Sequence, residues 1–337
     1  MRWLLTCALL TGSLLPAWPR QEPAEVSVRL FSGEQPREIR VTTPGGEDVL
    51  LDARAMEAPF RSEPPVTIRT GSGAGVRVGY PVDVSARDGA LFIVTRLPLE
   101  DYVAAVLAGE ALGFQSEESL KAMAVAVRTY ATYFDSRHDA EGFDFCDMTH
   151  CQDFRITAVD DRLRKAVEAT AGQVLEYDGR PIPAYYHQDC GGVTEPRAAY
   201  LRLLEDAFCV REGRSPWTSE LSPSDLEAAL GWSGVYAIEV IERTSSGRAG
   251  QLRVGGLDTH VVGAEAFRLA IGRNLGWDKL PSDLYEVRPS IRGFVFEGYG
   301  AGHGIGLCQH GAAVMGEGGY SYTEILAYYY PNTTVAF

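Results

Sequence analysis

The sequence predicts an α+β fold, a helical core packed with antiparallel strands and preceded by a β-rich N-terminal unit. Three observations predict it. Residues 26–98 hold short, alternating, β-branched runs separated by Gly, Pro and Asp. Two apolar-periodic segments of helical length follow from Leu99. Beyond them, single strands and helices interleave without an internal repeat. The 337 residues suit one large domain or two medium ones, and 45% hydrophobic with 23% charged residues is ordinary globular usage.

Each element has a local reason. Met1 and Arg2 precede an apolar run, Trp3 to Leu15, that Pro16, Ala17 and Pro19 end, so residues 1–19 read as a secretory signal. That run is too short to span a bilayer, and no later segment reaches 18 apolar residues. The expectation is an exported protein, periplasmic or at the cell surface, with no membrane span. Residues 20–97 form the β-rich unit, with strands at Val26–Phe31, Glu38–Thr42, Val49–Ala53, Val66–Arg69 and Leu91–Thr95. Residues 98–337 form the remaining region. Its first helix opens at Leu99 with Glu100 and Asp101 in the first turn and ends near Ala111–Gly113. A second helix, capped by Ser116 or Ser119, runs to about Arg137, with a small-residue centre at Ala122, Ala124 and Ala126. Further helices are expected at Val159–Ala171, Ser224–Leu230, Gly263–Ile271, from Gly311, and at Thr323–Tyr330. Further strands are expected at Gln173–Tyr177, Pro183–His187, Tyr236–Arg243, Gln251–Val254 and Gly293–Glu297.

Charge narrows the partners. With 45 acidic against 31 basic residues, the net charge is −14. Nucleic-acid binding needs a Lys/Arg surface and is excluded on this balance. A neutral polymer such as a sugar chain fits better. Five cysteines follow the signal, Cys146, Cys151, Cys190, Cys209 and Cys308. An odd number outside the cytoplasm leaves at least one thiol free or bound to metal.

Three clusters carry chemistry. The first is Leu97-Pro98-Leu99-Glu100-Asp101-Tyr102 through Gly109-Glu110, then Leu120-Lys121-Ala122-Met123-Ala124-Val125-Ala126-Val127-Arg128-Thr129-Tyr130-Ala131. The second is Ala184-Tyr185-Tyr186-His187-Gln188-Asp189-Cys190-Gly191-Gly192-Val193-Thr194-Glu195. The third is Gly300-Ala301-Gly302-His303-Gly304-Ile305-Gly306-Leu307-Cys308-Gln309-His310-Gly311-Ala312, with Tyr328-Tyr329-Tyr330-Pro331 after it. Leu107, Ala108, Gly109, Ala111 and Leu112 give Glu110 apolar neighbours in sequence, which favour a neutral carboxyl group; a solvated helix-end glutamate is the alternative. No Lys-Ser/Thr follows the third cluster's glycines, so they read as turn and close-approach positions and not as a phosphate cradle.

In this order, over about residues 90–335, the three clusters resemble the blocks of the stage II sporulation protein D (SpoIID/LytB) family. Met123 stands where that pattern has Gln, and Val127 where it has a small residue. The resemblance implies a lytic transglycosylase that cleaves the MurNAc–GlcNAc β-1,4 bond of peptidoglycan glycan strands and leaves 1,6-anhydroMurNAc ends. Glu110 would then be the general acid/base. Arg128 would serve the substrate or transition state, a structural ion pair being its alternative. Tyr185, His303, Gln309 and Tyr329 would line the sugar groove, core packing being the alternative for the tyrosines. The family also implies a second reading, a non-catalytic peptidoglycan-binding protein that stimulates an N-acetylmuramoyl-L-alanine amidase. Some members carry zinc where this chain has Cys146, His150 and Cys151, with His138 upstream, and such a site is structural. A Cys146–Cys151 disulfide is the rival there. Cys190 and Cys209 could form a bridge, leaving Cys308 the odd thiol.

Overall fold

The computed structural model describes residues 25–337 apart from 72, 112 and 212. The expected export segment, residues 1–19, lies outside them. The fold is α+β. One N-terminal sheet runs in the order Phe60–Ser62, Val82–Arg87, Ala90–Pro98, Glu25–Leu30, Phe145–Cys146; only its last pair is parallel. A second, antiparallel, runs Asp48–Asp52, Glu38–Thr42, Val66–Thr70, Val76–Val78. The period of two turns Val26, Val28 and Leu30 inward, as it does Val66 and Ile68. These side chains join the same hydrophobic core as the helices that follow.

The strand Ala90–Pro98 runs directly into α1 (Leu99–Glu110), and α2 (Glu117–Tyr133) returns beside it. Nearly all of α1 is buried, which marks a central helix. Ser116 caps α2 by accepting from the Glu118 N–H. Five more helices follow among the described residues: α3 (Asp161–Ala169), α4 (Pro223–Leu230), α5 (Ala264–Leu275), α6 (Gln309–Glu317) and α7 (Tyr322–Tyr329). The first, α3, packs on α1 and α2; the last two pack on α2.

Between the second and third sequence clusters lies a lobe with its own core, built from Leu221, Leu226, Leu252, Phe267 and Phe296 among others. It holds α4, α5 and two three-stranded antiparallel sheets, Pro216–Leu221/Phe294–Tyr299/Tyr285–Pro289 and Ala237–Arg243/Ala249–Gly255/Thr259–Gly263. The region 98–337 therefore carries two hydrophobic cores. After the lobe the chain re-enters the main body, where Leu307–Cys308 pairs in parallel with Tyr186–His187. That two-residue ladder is all that forms of the expected strand Pro183–His187, and it brings the second and third clusters together.

Candidate active site

Glu110 is the last residue of α1, and three segments converge on its carboxyl group. The segment from Gln152 to Arg155 crosses the last turns of α1, where the Arg155 N–H donates to the Ala105 carbonyl (2.9 Å). This close crossing requires glycine at 109, because a Cβ there would collide with the Asp153 carbonyl. It places the Asp153 N–H 2.9 Å from Glu110 Oε1. Gln309 Nε2, at the start of α6, donates to Oε2 at 3.2 Å. The Tyr186 hydroxyl is the third partner.

Behind Tyr186 stands a chain of buried polar groups. Gln152 Nε2 donates to the Tyr186 hydroxyl oxygen (2.8 Å), and the Tyr102 hydroxyl donates to Gln152 Oε1 (3.0 Å). Each bond polarises the next, so the Tyr186 O–H is aimed at the carboxyl group. Burial pushes the Glu110 carboxyl above the usual carboxylate range. Hydrogen bonds from Asp153 N–H, Gln309 and Tyr186 pull the other way, and the charge of Asp153 adds to the upward push. Every group that bonds to Glu110 among the described residues is neutral.

The other expected site residues divide. Gln309 touches Glu110 as described. The Tyr185 ring is half-buried, edge-on to His303 at 5.9 Å between centroids. His303 Nδ1 accepts from the Ile305 N–H (3.0 Å), and its other nitrogen faces the backbone of Tyr186. Burial, followed by Arg268 and Arg248, lowers its pKa to about 3, so it is a neutral imidazole. It braces Tyr186 without bonding to Glu110.

Two expectations are corrected. Arg128 is 0% exposed and forms a two-pronged ion pair with Glu100, Nε to Oε1 at 2.9 Å and Nη2 to Oε2 at 2.6 Å. Its Nη1 also donates to the Gln173 carbonyl at 3.2 Å. Glu100 lies ten residues up α1, about 15 Å from Glu110 by helical rise. No sugar can reach that guanidinium, and the structural alternative holds. Tyr329 is likewise interior, with its hydroxyl donating to Asp206 Oδ2 (2.9 Å), so its ring is not on a groove wall.

The cysteines form two clusters of free thiols and no disulfide, so neither expected bridge is present among the described residues. His138, Cys146, His150 and Cys151 bring four ligand atoms within 4.8 Å of one another and could hold a metal ion. His138 Nε2 lies 3.3 Å from Cys151 Sγ, and His150 Nδ1 lies 3.8 Å from both sulfurs. Outside them, Glu141 Oε1 meets His138 Nδ1 at 2.6 Å, the arrangement that fixes a metal-bound imidazole. The hydrogen bond from the Cys151 thiol lowers the Cys146 pKa and raises that of Cys151. Cys190, Asp206, Cys209 and Cys308 form the second cluster.

Sequence reasoning missed Gln152, Asp153 and Tyr186. A signal for Tyr186 existed. Alternation along a strand sends Tyr185 and His187 to one side, toward His303, and Tyr186 to the other. For Gln152 and Asp153 the signal was position, directly after Cys151 and therefore anchored by it.

Residues 87–177 match the family model described as Stage II sporulation protein. Residues 219–306, most of the second lobe, match one described as a domain of unknown function, DUF8618. The chain is 30% identical to an uncharacterised protein of Brachyspira hyodysenteriae, covering 73% of this chain and 68% of that protein. It is 26% identical to Stage II sporulation protein D of Bacillus subtilis, covering 78% and 82% respectively. To the amidase enhancer of Bacillus subtilis it is also 26% identical, over 65% of this chain and 38% of that one. Blocks in order, their convergence on Glu110 and these relatives lead to one statement of kinship: the chain belongs to the stage II sporulation protein D family, in its SpoIID/LytB-like group.

Proposed function

We propose that this protein is an exported lytic transglycosylase that acts on the glycan strands of peptidoglycan, with Glu110 as its acid and base. The observation that carries this reading is a desolvated carboxyl group, raised in pKa, held by neutral donors from two separate sequence clusters and from the segment after Cys151. Protonated Glu110 gives its proton to the oxygen between MurNAc C1 and GlcNAc C4 as the C1–O bond breaks, the electron pair leaving with that oxygen. The resulting carboxylate takes the proton of the MurNAc C6 hydroxyl while O6 bonds to C1. A 1,6-anhydro ring closes, Glu110 is protonated again, and no water is consumed. One carboxyl group suffices, where hydrolytic glycosidases use two. Asp153, beside it, is engaged by Arg155 in an ion pair (2.9 Å). Its backbone N–H and the Gln309 amide position the Glu110 oxygens, and Tyr186 stabilises the carboxylate between the two steps.

The half-buried face of Tyr185 is our candidate for stacking on a pyranose ring. At His138, Cys146, His150 and Cys151 we propose zinc: two thiolates and two imidazoles are the donor set this ion prefers. Four protein ligands leave no open position, so the ion's part is structural. It pins the segment that delivers Gln152 and Asp153 to the site.

The test is mass spectrometry of soluble products after incubating the purified protein with peptide-free glycan strands. Anhydro-ended saccharides support the reading. No product, with binding to sacculi intact and faster hydrolysis by an added N-acetylmuramoyl-L-alanine amidase, would replace it with the stimulatory role that the name of one relative carries.

A further inference from the structure

The second cysteine cluster has no part in the reaction above. Cys190, Cys209, Cys308 and Asp206 put three sulfurs and a carboxylate oxygen within 4.8 Å of one another. All four residues are at most 3% exposed. They come from three separate places: the Gly-Gly turn after the strand Tyr186–His187, the turn before residue 210, and the N-cap of α6.

The surroundings are arranged for anionic ligands. Cys308 Sγ accepts from two backbone N–H groups, those of Cys190 (3.3 Å) and Gly311 (3.5 Å), and so sits at the positive end of α6. Cys209 Sγ faces the Gly192 N–H. The left-handed turn at Gly191 and Gly192, with φ of 66° and 96°, is what aims these groups inward. Asp206 is fixed from outside. Its Oδ1 accepts from the N–H groups of Phe208 (3.1 Å) and Cys209 (3.0 Å), and its Oδ2 accepts from Tyr329 (2.9 Å). The remaining contact of Oδ2 is the Cys190 thiol at 3.4 Å. Cys209 Sγ also lies 3.2 Å from Asp189 Oδ1, which is itself held by the Gly191 N–H.

A buried carboxylate is ordinarily paired with a cation. Among the described residues no Lys, Arg or His bonds to Asp206. Three thiols and a carboxylate converge on one point, and Cys308, Cys209 and Asp206 are held from outside by backbone N–H groups, a donor arrangement suited to a cation.

We propose that Cys190, Cys209, Cys308 and Asp206 form a second metal site, for a thiophilic divalent ion such as zinc. Its donors are of the type that binds Zn2+, four in number, so the site is closed and structural. Binding forms three metal–sulfur bonds and one metal–oxygen bond and releases the three thiol protons to solvent. The consequence for the molecule is positional. Cys308 immediately precedes Gln309, as Cys151 immediately precedes Gln152. Each cluster thus anchors one of the segments that reach Glu110.

The test is metal stoichiometry, which does not depend on the proposed reaction. Native mass spectrometry and elemental analysis of the purified full chain are expected to find two zinc ions per chain. The double variant Cys146→Ser/Cys151→Ser is expected to retain one. Loaded with Co2+, that variant is expected to show thiolate-to-cobalt charge transfer and the intense visible bands of a tetrahedral ion. Both signals should be lost on adding Cys190→Ser. Should the double variant fail to fold, X-ray absorption of the zinc-loaded wild type decides, since the second site raises the average above two sulfurs per zinc. One ion per chain with an average of two sulfurs overturns the proposal. So does a disulfide among Cys190, Cys209 and Cys308 in the alkylated, unreduced protein.

Discussion

Two glutamates on one helix have opposite fates in this molecule. Glu100, at the start of α1, meets a guanidinium that grips both its oxygens. Glu110, at the end, meets a backbone N–H, an amide and a hydroxyl, all neutral. A charged partner commits a carboxylate to an ion pair. Neutral donors in a desolvated place hold the group in position yet leave it readier to keep a proton than an ordinary carboxylate. The comparison teaches that burial and the kind of partner together separate a carboxyl group that builds the fold from one that can do chemistry: Glu110 is desolvated among neutral donors, whereas Glu100 keeps access to water and faces a guanidinium.

The largest expected effect breaks the comparison at its reactive end. Glu110→Gln keeps the shape of the side chain and removes the transferable proton. Product formation is expected to fall by at least about 100-fold and up to about 10,000-fold, the range for positioned acid–base groups, as read from initial rates of anhydro-product release.

At the other end the effect is on stability. Glu100→Ala leaves a fully buried guanidinium without its partner, and a loss of about 3–5 kcal/mol is expected in urea unfolding. Arg128→Met removes the buried charge itself and leaves a glutamate with access to water, so it is expected to cost less. If the two changes cost the same, or if Arg128→Met abolishes turnover of fully folded protein, Arg128 has a role beyond the ion pair.

A smaller effect is the pH dependence of stability. Below pH 4.5 Glu110 is neutral both unfolded and folded. As pH rises past that value the unfolded chain loses its proton first, because the folded pKa is the higher one. The wild type therefore loses stability from pH 4.5 upward through the folded pKa, and Glu110→Gln escapes that loss. The difference in Tm between variant and wild type is expected to grow in the variant's favour across this window.

The smallest expected effects sharpen the account of the neutral donors. Tyr186→Phe and Gln309→Met each remove a hydrogen bond that holds the Glu110 pKa down. Each should move the alkaline limb of the kcat/KM profile to higher pH, with a loss of several-fold at the optimum. An unmoved limb would show that these groups do not bear on the carboxyl group.

Much of this architecture was legible in the sequence, and the failures have physical causes. Ser116 capped α2 as its polar type and position required, and the short β-branched runs became strands close to where their period placed them. Cys146, His150, Cys151 and His138 came together, as did Glu110 and Gln309. The partner of Arg128 was also within reach. An antiparallel hairpin of α1 and α2 that turns at Phe114 reflects position 128 onto position 100. The second core was not legible, because the strands between 216 and 299 alternate as those of the main body do, and nothing local says which core an apolar face will join. Core packing was one of the two readings of Tyr329, but its partner Asp206 was not legible, since it lies 123 residues away. Met123 is wholly buried in the core, so its departure from the family pattern removes no polar group from the site described here.

The most direct test sets the two glutamates side by side. Glu110→Gln and Glu100→Gln proteins, matched for folded fraction by circular dichroism, would be incubated with peptide-free glycan strands and their anhydro-ended products counted by mass spectrometry. The account predicts near-complete loss for Glu110→Gln and, per folded molecule, a rate close to wild type for Glu100→Gln. Anhydro products from Glu110→Gln at the wild-type rate would contradict it.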